Sequence, residues 1–93
     1  MVRILSLNAW GGAMFTALAS WLPTVGADVV CLQEVTTTPG LRGWTTFADD
    51  ERTLPQRASL FRDATALLPS HRGNFVALDS GPVTDASGCR WHR

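Results

Sequence analysis

Ala27-Asp28-Val29-Val30-Cys31-Leu32-Gln33-Glu34-Val35 is the stretch on which the fold turns. Val29 to Leu32 is an unbroken apolar run rather than an alternation, the pattern of a strand covered on both faces. Gly26 ahead of it permits a turn. Further upstream, Phe15, Leu18, Leu22 and Val25 are separated by three, four and three residues, which lines them along one side of a helix. Pro23 cannot continue a regular helix, so the helix should loosen near Leu22. Gly11-Gly12 precedes the helix, and Val2 to Asn8, rich in β-branched and long aliphatic residues, reads as a short buried strand. Strand, helix and strand in succession predict a β-α-β unit with a parallel pair and a right-handed crossover, hence an α/β protein.

Downstream the signals weaken. Thr36-Thr37-Thr38-Pro39-Gly40 reads as a loop, and the stretch to Asp50 has no clear period. Leu60, Phe61, Ala64, Leu67 and Leu68 share a helical face, which predicts a helix from Pro55, suited to a first turn, to Leu68, with Pro69 ending it. Asn74 to Leu78 reads as a third strand. Two turn-like sites follow, Asp79-Ser80-Gly81-Pro82 and Asp85-Ala86-Ser87-Gly88, and Cys89 to Arg93 could begin a short return strand. The expected order is β-α-β-α-β with a fourth short strand, in one unit spanning residues 1–93 without internal repeat or linker.

The chain has 93 residues, enough for one small domain. A domain of this size buries only about 60% of the surface its unfolded chain exposes. Four Trp and four Phe give it much aromatic surface to cover. Eight basic residues balance eight acidic ones, and all the basic ones are arginines scattered from Arg3 to Arg93. No basic stripe marks a nucleic-acid surface, although a phosphate-bearing substrate stays compatible. Cys31, in the apolar run, reads as a buried inert thiol, and Cys89 lies in a polar setting; two lone cysteines do not make a disulfide framework. The apolar stretch Ala13 to Leu22, followed by Val25-Gly26-Ala27, imitates a secretory signal. Asn8, Gly11 and Gly12 interrupt it, and no stretch approaches the ~20 apolar residues of a membrane span, so a cytoplasmic protein is expected.

Two polar residues stand out by position. Asn8 ends the first strand and Glu34 ends the second, and in parallel α/β sheets ligands collect outside the carboxyl ends of strands. An amide carbonyl and a carboxylate are hard oxygen donors suited to Mg²⁺, which takes one or two carboxylates and completes its shell with water and phosphate. Gln33 should point away from such a site, because neighbours alternate along a strand. Gly11-Gly12 offers a simple turn or a phosphate-binding nest, the turn being the more economical. Trp10 could line the site or cover the sheet. His71, in a loop, and His92, beside the terminus, read as solvated residues with no metal-ligand spacing.

Arg3-Ile4-Leu5-Ser6-Leu7-Asn8-Ala9-Trp10-Gly11, then the helix, then the strand ending Leu32-Gln33-Glu34, resembles the first two motifs of the endonuclease/exonuclease/phosphatase (DNase I-like) family. The resemblance implies half of a four-layered α/β/β/α sandwich and a divalent-metal-dependent phosphoesterase, with Mg²⁺ or Mn²⁺ as cofactor. By it Glu34 is the metal-binding carboxylate, and Asn8 positions the metal or the scissile phosphate; both count as catalytic. The family's later Asp-x-Asn and Ser-Asp-His motifs, which carry the base, do not occur: Asp85-Ala86-Ser87 lacks the Asn, and Arg90-Trp91 precedes His92. The chain therefore looks like the N-terminal part of such a domain, truncated and inactive by itself. Its uncovered sheet face would invite low stability or self-association. The alternative is a non-catalytic α/β interaction module or remnant.

Overall fold

The computed structural model describes residues 1–38, 40–48, 50–77 and 87–93. The first strand forms at Ile4–Asn8 (β1) and the deciding run at Val29–Gln33 (β2). Between them Phe15–Trp21 is an α-helix (α1), which tightens into a 3-10 turn over Leu22–Thr24 at Pro23. β1 and β2 pair in parallel, from Ile4 opposite Val29 to Asn8 opposite Gln33. Leu18 and Leu22 are buried, with Phe15 and Val25 partly buried against the same core, so the helical stripe faces inward as its spacing predicts.

The middle of the chain departs from expectation. Trp44–Ala48 (β3) and Thr53–Arg57 (β4) form an antiparallel hairpin, a two-stranded sheet of its own. Pro55, expected in the first turn of a helix, lies in β4 opposite Thr46. A two-stranded ribbon has only edge strands, so it tolerates a residue that lacks an N–H. The second helix begins at Leu60 instead and runs Leu60–Leu67 (α2). Then come Arg72–Ala77 (β5) and Ser87–His92 (β6). The order is thus β-α-β-β-β-α-β-β, a mixed α/β chain: the expected β-α-β-α-β with a fourth short strand, plus the inserted β3–β4 hairpin. Leu78 and residues 79–82, 85 and 86 of the expected turns lie outside the described residues, while Ser87 and Gly88 open β6.

The return strand is not peripheral. The four-stranded sheet runs β1-β2-β6-β5, with β6 antiparallel to both neighbours. Its register sets Trp91 opposite Val30 and Cys89 opposite Leu32, so the last strand completes the core that β2 begins. Trp91 is wholly buried, stacks on Phe61 at a centroid distance of 5.3 Å, and donates its Nε1–H to Thr65 Oγ1 at 3.1 Å. Both helices contribute to this one core, α1 through Leu18 and Leu22, α2 through Leu60 and Ala64.

The opposite face carries Ile4, Ser6 and Asn8 of β1, Gln33 of β2, Arg90 of β6, and Arg72 and Asn74 of β5, all exposed. β2 is therefore buried on one face only. Val29 and Cys31 are half-buried on the open side while Val30 and Leu32 are sealed on the other, which corrects the reading of the apolar run as doubly covered. Cys31 is accordingly not the buried thiol. Cys89 is, and since the two residues face opposite sides of the sheet they cannot bridge. Among the described residues no helix is long and apolar enough to cross a membrane.

Gly73 lies against the core tryptophan. A Cβ there would stand 2.6 Å from Trp91 Nε1 and 2.8 Å from Cδ1, closer than real contacts allow. Gly73→Ala is expected to cost about 1–3 kcal/mol through overpacking, and Trp91→Ala about 3–5 kcal/mol through the cavity it leaves. Urea denaturation midpoints measure both; an unchanged midpoint for Gly73→Ala would contradict this packing.

Candidate metal-binding edge

Hydrogen bonding sets the carboxyl edge of β1 and β2. Asn8 ends β1 with its Oδ1 accepting the Trp10 N–H at 2.9 Å, a local side-chain turn that starts the chain away from the sheet. Ala9 N–H donates to Gln33 O at 2.8 Å, extending the parallel ladder by one step. A 3-10 turn over Trp10–Gly12 follows, and there Gly11 N–H donates to Glu34 O at 2.8 Å while Gly12 N–H donates to Ala9 O at 2.9 Å. Both glycine amides are thus engaged within the protein, and the pair forms a turn rather than a phosphate nest. The glycines also admit β4: a Cβ on Gly12 would lie 2.6 Å from Arg57 Cγ.

Glu34 leaves β2 in the left-handed region, with φ 55°. That conformation costs a residue with a Cβ about 1–2 kcal/mol, and the nearby Trp10, with φ 51°, shares it. These are the only non-glycine positive φ values among the described residues, and both fall at this edge. The backbone strain among the described residues is thus concentrated where the chain leaves β1 and β2. Glu34 is half-buried, and its carboxylate makes no hydrogen bond or ion pair among the described residues.

Thr36 anchors the chain just beyond. Its Oγ1 donates to Arg57 O at 2.6 Å and accepts the Leu60 N–H at 3.1 Å, and its carbonyl accepts the Phe61 N–H at 3.1 Å. One threonine therefore ties the exit of β2 to the hairpin and to the start of α2. Arg57, the nearest cation of the hairpin to this junction, is committed elsewhere. It pairs with Asp63 through Nε (2.8 Å) and Nη2 (3.3 Å) and lies over Phe15 and Trp44 at 4.2 and 5.0 Å.

The structure brings Asn8 and Glu34 to one edge, as their strand-end positions predict, because parallel pairing sets Asn8 opposite Gln33, the residue before Glu34. The same register puts Gln33 on the face of Asn8, where its Nε2 donates to Ser6 Oγ at 3.4 Å; sequence alternation alone had turned it away from the site. Neither histidine is here. His71 Nε2 donates to Ala27 O at 2.8 Å, and His92 is in register with Val29, so both belong to the opposite, amino-terminal end of β2. His71 is half-buried and bound rather than solvated. The contributions of Thr36 and of the hairpin were not foreseeable, since the stretch from Thr37 to Asp50 lacks a hydrophobic period.

The donor set suits a hard cation. Glu34 supplies a carboxylate without a partner among the described residues, and Asn8 Oδ1 keeps a second lone pair beyond the one taken by Trp10. Among the described residues no group of three or more His, Cys, Asp or Glu side chains converges, so an ion here would complete its shell with water and with substrate oxygens, as Mg²⁺ commonly does.

A parallel β-α-β unit with an amide and a carboxylate at its carboxyl edge places the chain among mixed α/β proteins. The chain belongs to the endonuclease/exonuclease/phosphatase family, whose model matches residues 5–89, the N-terminal portion of that family. The family's chemistry is hydrolysis of the phosphoesterase and nuclease kind, generally dependent on a divalent metal. No curated protein and no solved structure matches the chain significantly.

Glu34→Gly removes the side chain from a strained position. It is expected to raise stability by roughly 0.5–1 kcal/mol, the added freedom of the unfolded chain offsetting part of the relieved strain. Thr36→Val keeps the shape of the junction but removes its hydroxyl, and should cost about 1–3 kcal/mol because the Leu60 N–H and Arg57 carbonyl lose their partner. Thermal or urea unfolding reads both changes, which should have opposite signs.

Proposed function

We propose that this chain carries the metal-binding half of a phosphate-ester-hydrolysing site, with Glu34 holding Mg²⁺ or Mn²⁺ and Asn8 orienting the ion or the scissile phosphate. The observation that carries this reading is the Glu34 carboxylate, kept in a strained left-handed backbone beside Asn8 with no partner among the described residues. Bound there, the ion would supply Lewis-acid neutralisation of a non-bridging phosphate oxygen. Asn8 holds the loop that flanks the edge through its bond to Trp10, and Gly11 fixes the Glu34 carbonyl, so neither ligand has to reorganise to receive the ion.

Turnover by this chain alone is expected to be negligible. Water needs a base to activate it, and both histidines belong to the far end of β2. The substrate in this reading is a phosphate ester, and the balance of eight acidic residues against eight arginines supplies no excess positive charge toward a long nucleic acid. We also infer a cytoplasmic setting, where two thiols on opposite faces of one sheet stay reduced. Self-association through the open sheet face belongs to the same proposal, with Ile4, 69% exposed, as its apolar anchor.

Mg²⁺ titration followed by amide NMR tests the metal reading. Saturable shifts should centre on Asn8, Trp10 and Glu34 and vanish in Glu34→Gln. A well-dispersed spectrum that ignores Mg²⁺, or responds equally in Glu34→Gln, would favour the non-catalytic module. Sedimentation over a range of concentrations tests the association: a reversible dimer weakened by Ile4→Asp is expected, and a strict monomer would contradict it.

A further inference from the structure

Beyond the Glu34 edge a hollow, about 360 Å³ in volume, opens between the segment following β2 and the first turn of α2. Thr37, Thr38, Arg42, Ser59, Phe61 and Arg62 line it, and no carboxylate is among its lining residues. Arg42 and Arg62 form no ion pair among the described residues. The one acidic residue in the first turn of α2, Asp63, is held by Arg57, which removes the charge that would repel an anion.

Ser59 sits in the N-cap position of α2 yet makes no capping bond. A serine there ordinarily accepts a backbone N–H from the second or third helical residue. It is the buried polar residue of the described core, 8% exposed, and its hydroxyl has no other hydrogen-bond partner among the described residues. No side-chain polar atom in the described residues is both sealed and unpartnered, so this hydroxyl keeps its access through the hollow it lines. The backbone of the same turn points to the same conclusion. Thr36 takes the N–H groups of Leu60 and Phe61, and Asp63 N–H bonds Ser59 O, which leaves the Arg62 N–H without a partner among the described residues. Ser59, Arg62 and Arg42 thus line one hollow, with the Ser59 hydroxyl, the Arg62 amide and both guanidinium groups lacking a partner among the described residues.

We propose that this hollow binds a phosphate group, separately from the Glu34 edge. The Ser59 hydroxyl and Arg62 N–H bond its oxygens, the helix terminus favours its charge, and Arg42 and Arg62 neutralise it. Thr37 follows Glu34 closely in sequence, so a substrate spanning both places would present one phosphate to each. That assignment to substrate rests on the proposed function; phosphate binding itself does not.

Inorganic phosphate titrated into the full chain without metal, followed by amide NMR, tests the site. Saturable shifts are expected at Ser59, Arg62 and Thr37. They should persist in Glu34→Gln and weaken roughly tenfold in Ser59→Ala and in Arg62→Gln, as loss of a charge-assisted contact predicts. Ser59→Ala removes no hydrogen bond, so unchanged amides at Ala27 and His71 will verify its fold. Shifts spread evenly over the arginines, or indifferent to Ser59→Ala, would overturn the proposal. With Mg²⁺ present, a 5′-phosphorylated dinucleotide that binds more tightly than its unphosphorylated form, with the gain lost in Ser59→Ala, supports a substrate phosphate. Equal binding overturns the substrate assignment and leaves free phosphate as the ligand. A missing Mg²⁺ response with intact phosphate shifts would instead refute the metal site alone.

Discussion

Val30 and Leu32 of β2 are buried to 1% and 0% exposure beneath the helices and beside Trp91, and β1, β5, β6 and both helices pack into that same core. Removing such side chains from water supplies the main drive for a chain this small. With that face of β2 sealed, α1 and α2 must both lie over it. β1 aligns on one side through the crossover, and β6 aligns on the other through Trp91 and Cys89. Burial of alternate residues also fixes the register, since a slip of one residue would turn Val30 and Leu32 out to solvent.

The same constraint delivers the candidate ligands. A strand held this firmly ends at a defined point, and the chain must turn at once to reach Thr36, whose hydroxyl and carbonyl bind the hairpin and α2. The turn is made by a glutamate in a conformation better suited to glycine. Packing around Val35 and Thr36 sustains that strain, and its consequence is a carboxylate projecting at the sheet edge without a salt bridge among the described residues. Stability at Thr36 and a projecting carboxylate at Glu34 are two outcomes of one short segment.

The parts legible in sequence were those with strong local periodicity. The Phe15-Leu18-Leu22-Val25 stripe, the loosening at Pro23, and the strand-end positions of Asn8 and Glu34 all follow from neighbours within a turn or two of chain. The hairpin was not legible, because Trp44-Thr45-Thr46-Phe47-Ala48 shows no clean apolar alternation and Pro55 is as acceptable in a helix's first turn as in an edge strand. Cysteine burial was misjudged for a related reason. A continuous apolar run does not reveal which of its two faces is covered, so Cys31 looked interior and Cys89 looked exposed.

By itself the sequence determined the β-α-β unit and its kinship, since helical and strand periods and the Leu32-Gln33-Glu34 ending are local properties of the chain. Tertiary structure alone decided that the last strand enters the middle of the sheet, that Gly73 must yield space to Trp91, and that the open face carries Arg72 and Arg90. It alone decided that both histidines belong to the end away from Glu34. These depend on which residues meet across long separations, and such meetings are set by the joint burial of several elements rather than by the preference of any one.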